Sequence, residues 1–353
     1  VVTASGMRGG ATQIIDYIWI DPAAIGLSTG AKANIKNLCA DAPRNIVLVR
    51  AESEYPDFLR DEDQSRVRVI AISQGGRALK RELWVVWFVA QSLLRGERMF
   101  YTSWLPRLCL AAMLLPVRSR LFVHDLNIFR RRLYDSHFPQ PPFPSRLHQY
   151  LSIRRATIVQ SFARSVARQL GLLRRDAIPI VDQTVRVVTP PPSARPGNHA
   201  VIFLDNRSYK GLWALPRFFT SAPDFTLTVI GTLDTAHQDA LRARGFTVRV
   251  LRPDNAEKFA LLAAADFVIF ASQYEGYGLP PREAAAVGTP ALIARRAALL
   301  DIPAALSLSI ERYGGRVDLA AIARLAAGID KDALRMWVAP CLEPVSTSWR
   351  RAR

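Results

Sequence analysis

The sequence predicts an α/β protein of two doubly wound parallel-sheet domains facing one another across a cleft. Three observations predict it. Short apolar runs alternate with stretches of helical spacing along most of the chain, the pattern of successive β-α-β units. The alternation is interrupted once, by a tract with four prolines in nine residues (189–197), and then begins again. Late in the second half, an apolar run passes through a glycine loop into a proline-started helix. That combination makes an anion site at the carboxyl end of a parallel sheet.

Taken in order, residues 17–21 (Y-I-W-I-D) read as the first strand, followed by a glycine-containing loop at 22–30. Helical spacing of Ile35, Leu38 and Cys39 predicts a helix over 31–40. Apolar runs at 45–49 and 66–72 read as strands, 77–94 as a helix, 99–102 as a strand and 107–115 as a helix. Residues 121–123 form a short strand ending at His124-Asp125. Another strand at 156–160 precedes a helix at 163–172. The proline tract cannot continue a sheet or a helix and acts as a semi-rigid spacer. The chain therefore divides into a first domain over 1–190, a linker over 191–199 and a second domain over 200–353. In the second domain 200–204, 226–230 and 246–251 read as strands. A helix starts near Gly211 and another spans 256–265. The stretch 295–315 has no clear assignment.

Residues 264–271 (A-A-D-F-V-I-F-A) read as a buried parallel strand. Gly276 and Gly278 then make a loop that backbone or ligand can approach closely. Pro280 and Pro281 suit a helix start, where proline is tolerated, and Glu283 follows in that first turn. Gly288-Thr289-Pro290 closes the helix before a strand at 291–294. Two carboxylates thus flank the loop, Glu275 before it and Glu283 after it. A plain glycine turn, with Glu283 complementing the helix dipole, accounts for Glu283 but leaves Glu275 and both glycines unexplained.

The string S-Q-Y-E-G-Y-G-L-P-P-R-E-A-A-A-V-G-T-P (272–290) resembles the signature of the retaining GT-B-fold glycosyltransferases called group 1. The resemblance extends at unequal strength over most of the chain. It implies two Rossmann-like domains and a nucleotide-diphosphate sugar as donor co-substrate, with no other cofactor. By resemblance, Glu283 holds the donor ribose and Glu275 the sugar ring, and the amides of Gly276, Tyr277, Gly278 and Leu279 face sugar and phosphate. I-G-L-S-T-G resembles the first domain's glycine loop, with Gly30 in the glycine position. F-V-H-D-L places His124 where the family contacts the donor sugar. L-D-N-R-S-Y-K-G-L resembles the segment that gives Arg207 and Lys210 to the pyrophosphate. Such cations stabilise the charge that develops on a leaving diphosphate. V-I-G-T puts Gly231 near the nucleotide. S-T-S-W-R-R-A-R resembles the start of the family's final helix, which crosses back to the first domain.

Composition narrows the partners. The 353 residues carry Cys39, Cys109 and Cys341 without metal-ligand spacing, which argues for a reducing compartment without a disulfide framework. Net charge is +17, and it is uneven. Up to residue 198 there are 28 basic and 15 acidic residues, +13; beyond it there are 19 and 15, +4. A basic first half suits an anionic partner such as a membrane surface or a phosphorylated acceptor. No basic motif interleaved with aromatics supports nucleic acid. No apolar run reaches the roughly 18 residues of a membrane helix; 83–94, the longest, reads as a core helix. The first ten residues lack the charged start and apolar centre of a signal peptide.

Asp61-Glu62-Asp63 spells the D-x-D of metal-dependent transferases of another fold, but in an acidic turn it reads as a solvated loop. No metal site is expected. The expectation is therefore a cytoplasmic transferase, peripheral on the inner face of the membrane. It would use a sugar, lipid-linked or polysaccharide acceptor in envelope polysaccharide or lipopolysaccharide synthesis, without a metal. A nucleotide-sugar epimerase of the same fold and a non-catalytic nucleotide-sugar-binding relative remain the alternatives.

Overall fold

The computed structural model describes residues 14–19, 46–50, 67–71, 78–103, 108–126, 129, 140–180, 187, 197–204, 210, 219–220, 224–310 and 317–342. The chain divides into two compact units. One gathers Val1–Val123, Leu147–Gln160 and Ser346–Arg353; the other gathers His124–Arg146 and Ser161–Val345.

The first sheet is built from β1 (Ile14–Trp19), β2 (Ile46–Arg50), β3 (Val67–Ala71), β4 (Arg98–Ser103), β5 (Arg118–Val123) and β6 (Ile158–Ser161). Their order is β3-β2-β1-β4-β5-β6. Pairing is parallel, with Tyr17 opposite Val47 on one side and Tyr101 on the other. The parallel order follows from the helices between strands: α1 (Ala78–Leu94), α2 (Leu110–Leu114) and α3 (Phe143–Arg155).

Helix α1 is apolar almost all round. Val85, Val89 and Ser92, spaced i, i+4, i+7, are buried, while Leu83, Trp84, Trp87 and Leu94 are exposed. The core-helix reading of 83–94 thus holds for one face only. Helix α2 is shorter than the expected 107–115, because Cys109 caps it, its Sγ accepting from Ala112 N–H at 3.5 Å. Burial pushes the Cys109 thiol up to about 12, so it packs as a neutral group. Helix α3 has no counterpart in the sequence reading. It is held to the chain before α2 by Leu108, whose N–H donates to Ser152 Oγ at 3.0 Å and whose carbonyl contacts His148 Nε2 at 2.8 Å.

The second sheet runs β12-β11-β10-β7-β8-β9. Its strands are β7 (His199–Leu204), β8 (Phe225–Gly231), β9 (Phe246–Leu251), β10 (Phe267–Phe270), β11 (Ala291–Ile293) and β12 (Ser307–Ser309). β10 is half the length of the apolar run that announced it. Ala264 ends the preceding helix and Ala265 caps it, because alanine favours helix. The core is Ala200, Ile202, Leu227, Val229, Phe225, Phe267 and Leu292, all at most 1 % exposed.

Among the described residues, the second unit's helices after β6 are α4 (Arg164–Arg174), α5 (Thr235–Arg242), α6 (Asn255–Ala264), α7 (Leu279–Ala286), α8 (Leu319–Ala327) and α9 (Lys331–Leu342). The unassigned stretch after 295 forms two 3-10 turns, Ala297–Asp301 and Ala304–Leu306, and then the edge strand β12. Among the described residues no helix is long and apolar enough to cross a membrane.

Candidate functional site

The order of the second sheet locates the site. The chain builds β7, β8 and β9 outward on one side, then returns to lay β10 against the other side of β7. The strand order reverses at the carboxyl ends of β7 and β10, the kind of place where open α/β sheets bind ligands. Lys210 comes from the chain after β7 and Glu275 from the loop after β10. Their side chains meet there, Nζ to Oε1, at 2.5 Å. Both are largely buried, with Lys210 also above the Phe270 ring at 5.7 Å.

The glycine loop is fixed from several directions within the second unit. A Cβ on Gly276 would lie 1.9 Å from the carbonyl oxygen of His124, so only glycine lets the two backbones pass. Tyr274 Oη accepts from Leu126 N–H at 2.9 Å, tying the loop to the same segment. Gly278 takes the left-handed conformation, φ 78°, as the residue that begins α7. Pro280 and Pro281 carry no N–H, so Leu279 supplies the one free amide of the first three helical positions. The start of α7 thus presents fewer N–H groups than a helix without proline would.

Tyr277 turns its side chain inward. It is 5 % exposed, its ring meets Phe162 edge-on at 6.3 Å, and its hydroxyl donates to Cys341 Sγ at 3.4 Å. Arg282 is clamped between Tyr277 and Trp337, at 4.2 and 4.9 Å from the ring centroids. The Tyr277 side chain therefore holds the loop to α9.

Glu283 is the fifth residue of α7, one turn in rather than in the first turn, because the helix begins at Leu279. Its Oε1 accepts from Lys258 Nζ, on α6, at 2.7 Å. His124 stacks on Phe162 with centroids 4.7 Å apart. Burial lowers its pKa to about 4, so the ring is neutral at pH 7 and can exchange a hydrogen bond but carries no charge. Gly231 has φ 126°, and a Cβ there would meet the Leu204 carbonyl oxygen at 1.9 Å; its glycine answers to the neighbouring strand end. Gly30 and Arg207, and the acidic turn at Asp61 and Asp63, lie outside the described residues.

Sequence reasoning missed Lys258, Tyr274 and Asp301. Asp301 Oδ2 accepts from Arg164 N–H at 2.8 Å and so caps α4, whose own N-cap, Ala163, has no side-chain acceptor. The described residues also line a groove of about 540 Å³ with Leu251, Arg252, Pro253, Glu257 and Leu261, and none of the motif residues borders it.

Solved structures share this architecture nearly end to end. The apo lipopolysaccharide outer core galactosyltransferase WaaB aligns with a TM-score of 0.67 at 13 % identity, over 95 % of this chain and 96 % of that one. Anabaena HepE, solved with UDP and glucose, aligns at 0.64 and 12 %, over 96 % and 98 %. Sucrose-phosphate synthase from Thermosynechococcus elongatus aligns at 0.64 and 18 %, over 94 % of each. The fold is GT-B. Within this GT-B chain, residues 219–302 match the family described as family 4 glycosyltransferase in conflict systems. That span contains both glutamates and the glycine loop. Glycogen synthase of Mycobacterium tuberculosis is 42 % identical over 84 residues, 22 % of this chain and 20 % of that protein. The match thus spans about a fifth of the length of the curated relatives.

Proposed function

We propose that the chain is a retaining glycosyltransferase that moves a sugar, of hexose type, from a nucleoside diphosphate sugar to an acceptor. The observation that carries this reading is the meeting of Lys210 with Glu275 at the switch point of the second sheet, one glycine loop away from Glu283. Glu283 accepts from the ribose hydroxyls, Glu275 from the sugar hydroxyls. Lys210 and Arg207 stabilise the leaving diphosphate together with the amides of Gly276, Gly278 and Leu279. Neutral His124 hydrogen-bonds the sugar. HepE's UDP and glucose support the donor class.

The cations and amides are proposed to replace a divalent metal. The acceptor is proposed to be a sugar, lipid-linked or polysaccharide group of the cell envelope, the reading that WaaB's lipopolysaccharide substrate supports. The exposed Leu83, Trp84, Trp87 and Leu94 of α1, with the +13 charge of residues 1–198, support a cytoplasmic enzyme resting on an anionic membrane. Vesicle co-sedimentation that is absent, or indifferent to salt, would remove that last part.

The test is turnover of a panel of UDP-, ADP-, GDP- and CDP-sugars with saccharide and lipid-linked acceptors. Acceptor-dependent release of nucleoside diphosphate, with the anomeric configuration kept in the product, is expected. Conversion of the donor to an isomeric nucleotide sugar without acceptor would replace the reading by an epimerase. Nucleotide binding without turnover of any pair would leave a non-catalytic binder.

A further inference from the structure

We propose that Lys258 is a positioning residue for nucleotide recognition: it anchors one oxygen of Glu283 so that the other is presented to a ribose diol. The proposal rests on the reading of Glu283 as the ribose acceptor and extends it to a residue on a different helix.

The first argument is the use of lysine. The chain has 47 basic residues, of which six are lysine and the rest arginine. Two of those six, Lys210 and Lys258, form the ion pairs of the motif's two glutamates, at 2.5 and 2.7 Å. Arginine, the default cation here, presents a planar fork that takes both oxygens of a carboxylate. An ammonium is a point donor and can hold one. At Glu283 it holds Oε1, and among the described residues Oε2 makes no hydrogen bond. Lysine therefore leaves Oε2 open where arginine would close it.

The second argument is placement. Lys258 lies near the amino end of α6, where a cation opposes the helix dipole. The helix start itself is pinned by a capping box, Asp254 accepting from Glu257 N–H at 2.9 Å and Glu257 Oε2 from Asp254 N–H at 3.2 Å. A charge set against its own helix, on a backbone held this firmly, points to a partner outside the helix, and that partner is Glu283. Both side chains are about 15 % exposed (16 % for Lys258 and 15 % for Glu283), so the pair is mostly shielded from water and its geometry is held. A ribose hydroxyl then meets a carboxylate already oriented, and no side chain needs to be ordered on binding.

Calorimetry tests this with whichever of UDP, ADP, GDP or CDP the parent binds, and with its 2′,3′-dideoxy counterpart. The parent should favour the ribose form by about 10- to 100-fold, the scale of hydrogen bonds to a charged group. Glu283→Gln should cut that preference to within about threefold. Lys258→Met should do the same, and Lys258→Arg, which keeps the charge and the fold, should fail to restore it. In turnover, both Lys258 variants should raise KM for the donor while kcat stays within about threefold of the parent. Full preference in Lys258→Arg and Lys258→Met, with the preference lost in Glu283→Gln, would overturn the role of Lys258 and leave the ribose assignment standing. Preference retained in Glu283→Gln, or no nucleoside diphosphate bound by the parent, would overturn the ribose assignment and the role of Lys258 with it.

Discussion

Gly276→Ala puts a close backbone approach in the candidate site under direct test. An added Cβ would lie 1.9 Å from the His124 carbonyl oxygen, 2.6 Å from its carbon and 3.0 Å from Asp125 Cβ. Ordinary contact begins near 3.4 Å, so the two segments must separate by about 1.5 Å. The opposing atoms are backbone, and no rotamer change relieves them. The loop's other ties, Tyr274 to Leu126 and Tyr277 to Phe162 and Cys341, resist the same movement. Overpacking of this kind costs about 1–3 kcal/mol, and the backbone clash argues for the upper end. A loss of about 3 kcal/mol lowers Tm by roughly 6–12 °C in a domain of this size. Catalysis should suffer more, because a misplacement of about 1 Å at a reacting centre is worth roughly 10²-fold. The assays are thermal unfolding and kcat/KM with saturating acceptor. Gly278→Ala is the comparison: it strains a left-handed residue by about 1–2 kcal/mol, but its nearest steric neighbour is the movable end of Leu299. A Gly276→Ala protein with parental Tm and parental turnover would refute the argument that His124 and Gly276 pass backbone to backbone.

Four further outcomes follow from the same geometry. Glu275→Gln should leave nucleoside diphosphate affinity within about threefold and depress sugar transfer, whereas Glu283→Ala should lose about 1–3 kcal/mol of nucleotide binding; equal effects on binding would merge the two roles. Turnover should persist in excess chelator, and activity that vanishes there and returns with Mn²⁺ would assign the diphosphate charge to a metal. Asp301→Ala removes the borrowed cap of α4 and should cost about 1 kcal/mol without changing KM for the donor; an unchanged Tm would count against it. The His124 pKa, held near 4 by burial, lies below its unfolded value of about 6.5, so the unfolded chain binds more protons between those limits. Stability should be level above pH 6.5 and fall as pH drops toward 4. Burial lowers the His199 pKa too and adds to the same slope, so His124→Phe should flatten it in part, and an identical slope in that variant would refute the assignment.

Much of the fold was legible in the sequence, because the information is local. β7, β8 and β9 fall within a residue of the runs that announced them, since an apolar stretch bounded by polar turns reads as a buried parallel strand wherever it packs. The glycine loop was legible too, since the left-handed start of α7 at Gly278 and the close approach at Gly276 both require glycine at named positions. Helix α3 and the turns after residue 295 were not, because their spacing is weak and packing against Leu108 or β11 stabilises them. The site divides in the same way. Two glutamates in one short string can be found by reading it, but their partners cannot. Lys210 lies 65 residues from Glu275 and Lys258 lies 25 from Glu283. Tyr274 and Leu126, which tie the loop down, are 148 apart. Tyr277 enters the sequence reading through its backbone amide, and only the fold shows where its side chain packs. The physical reason is that a carboxylate in the unfolded chain is satisfied by water and needs no particular cation. Only when folding removes that water must one specific side chain take its place, and topology, which no local pattern encodes, determines which one it is.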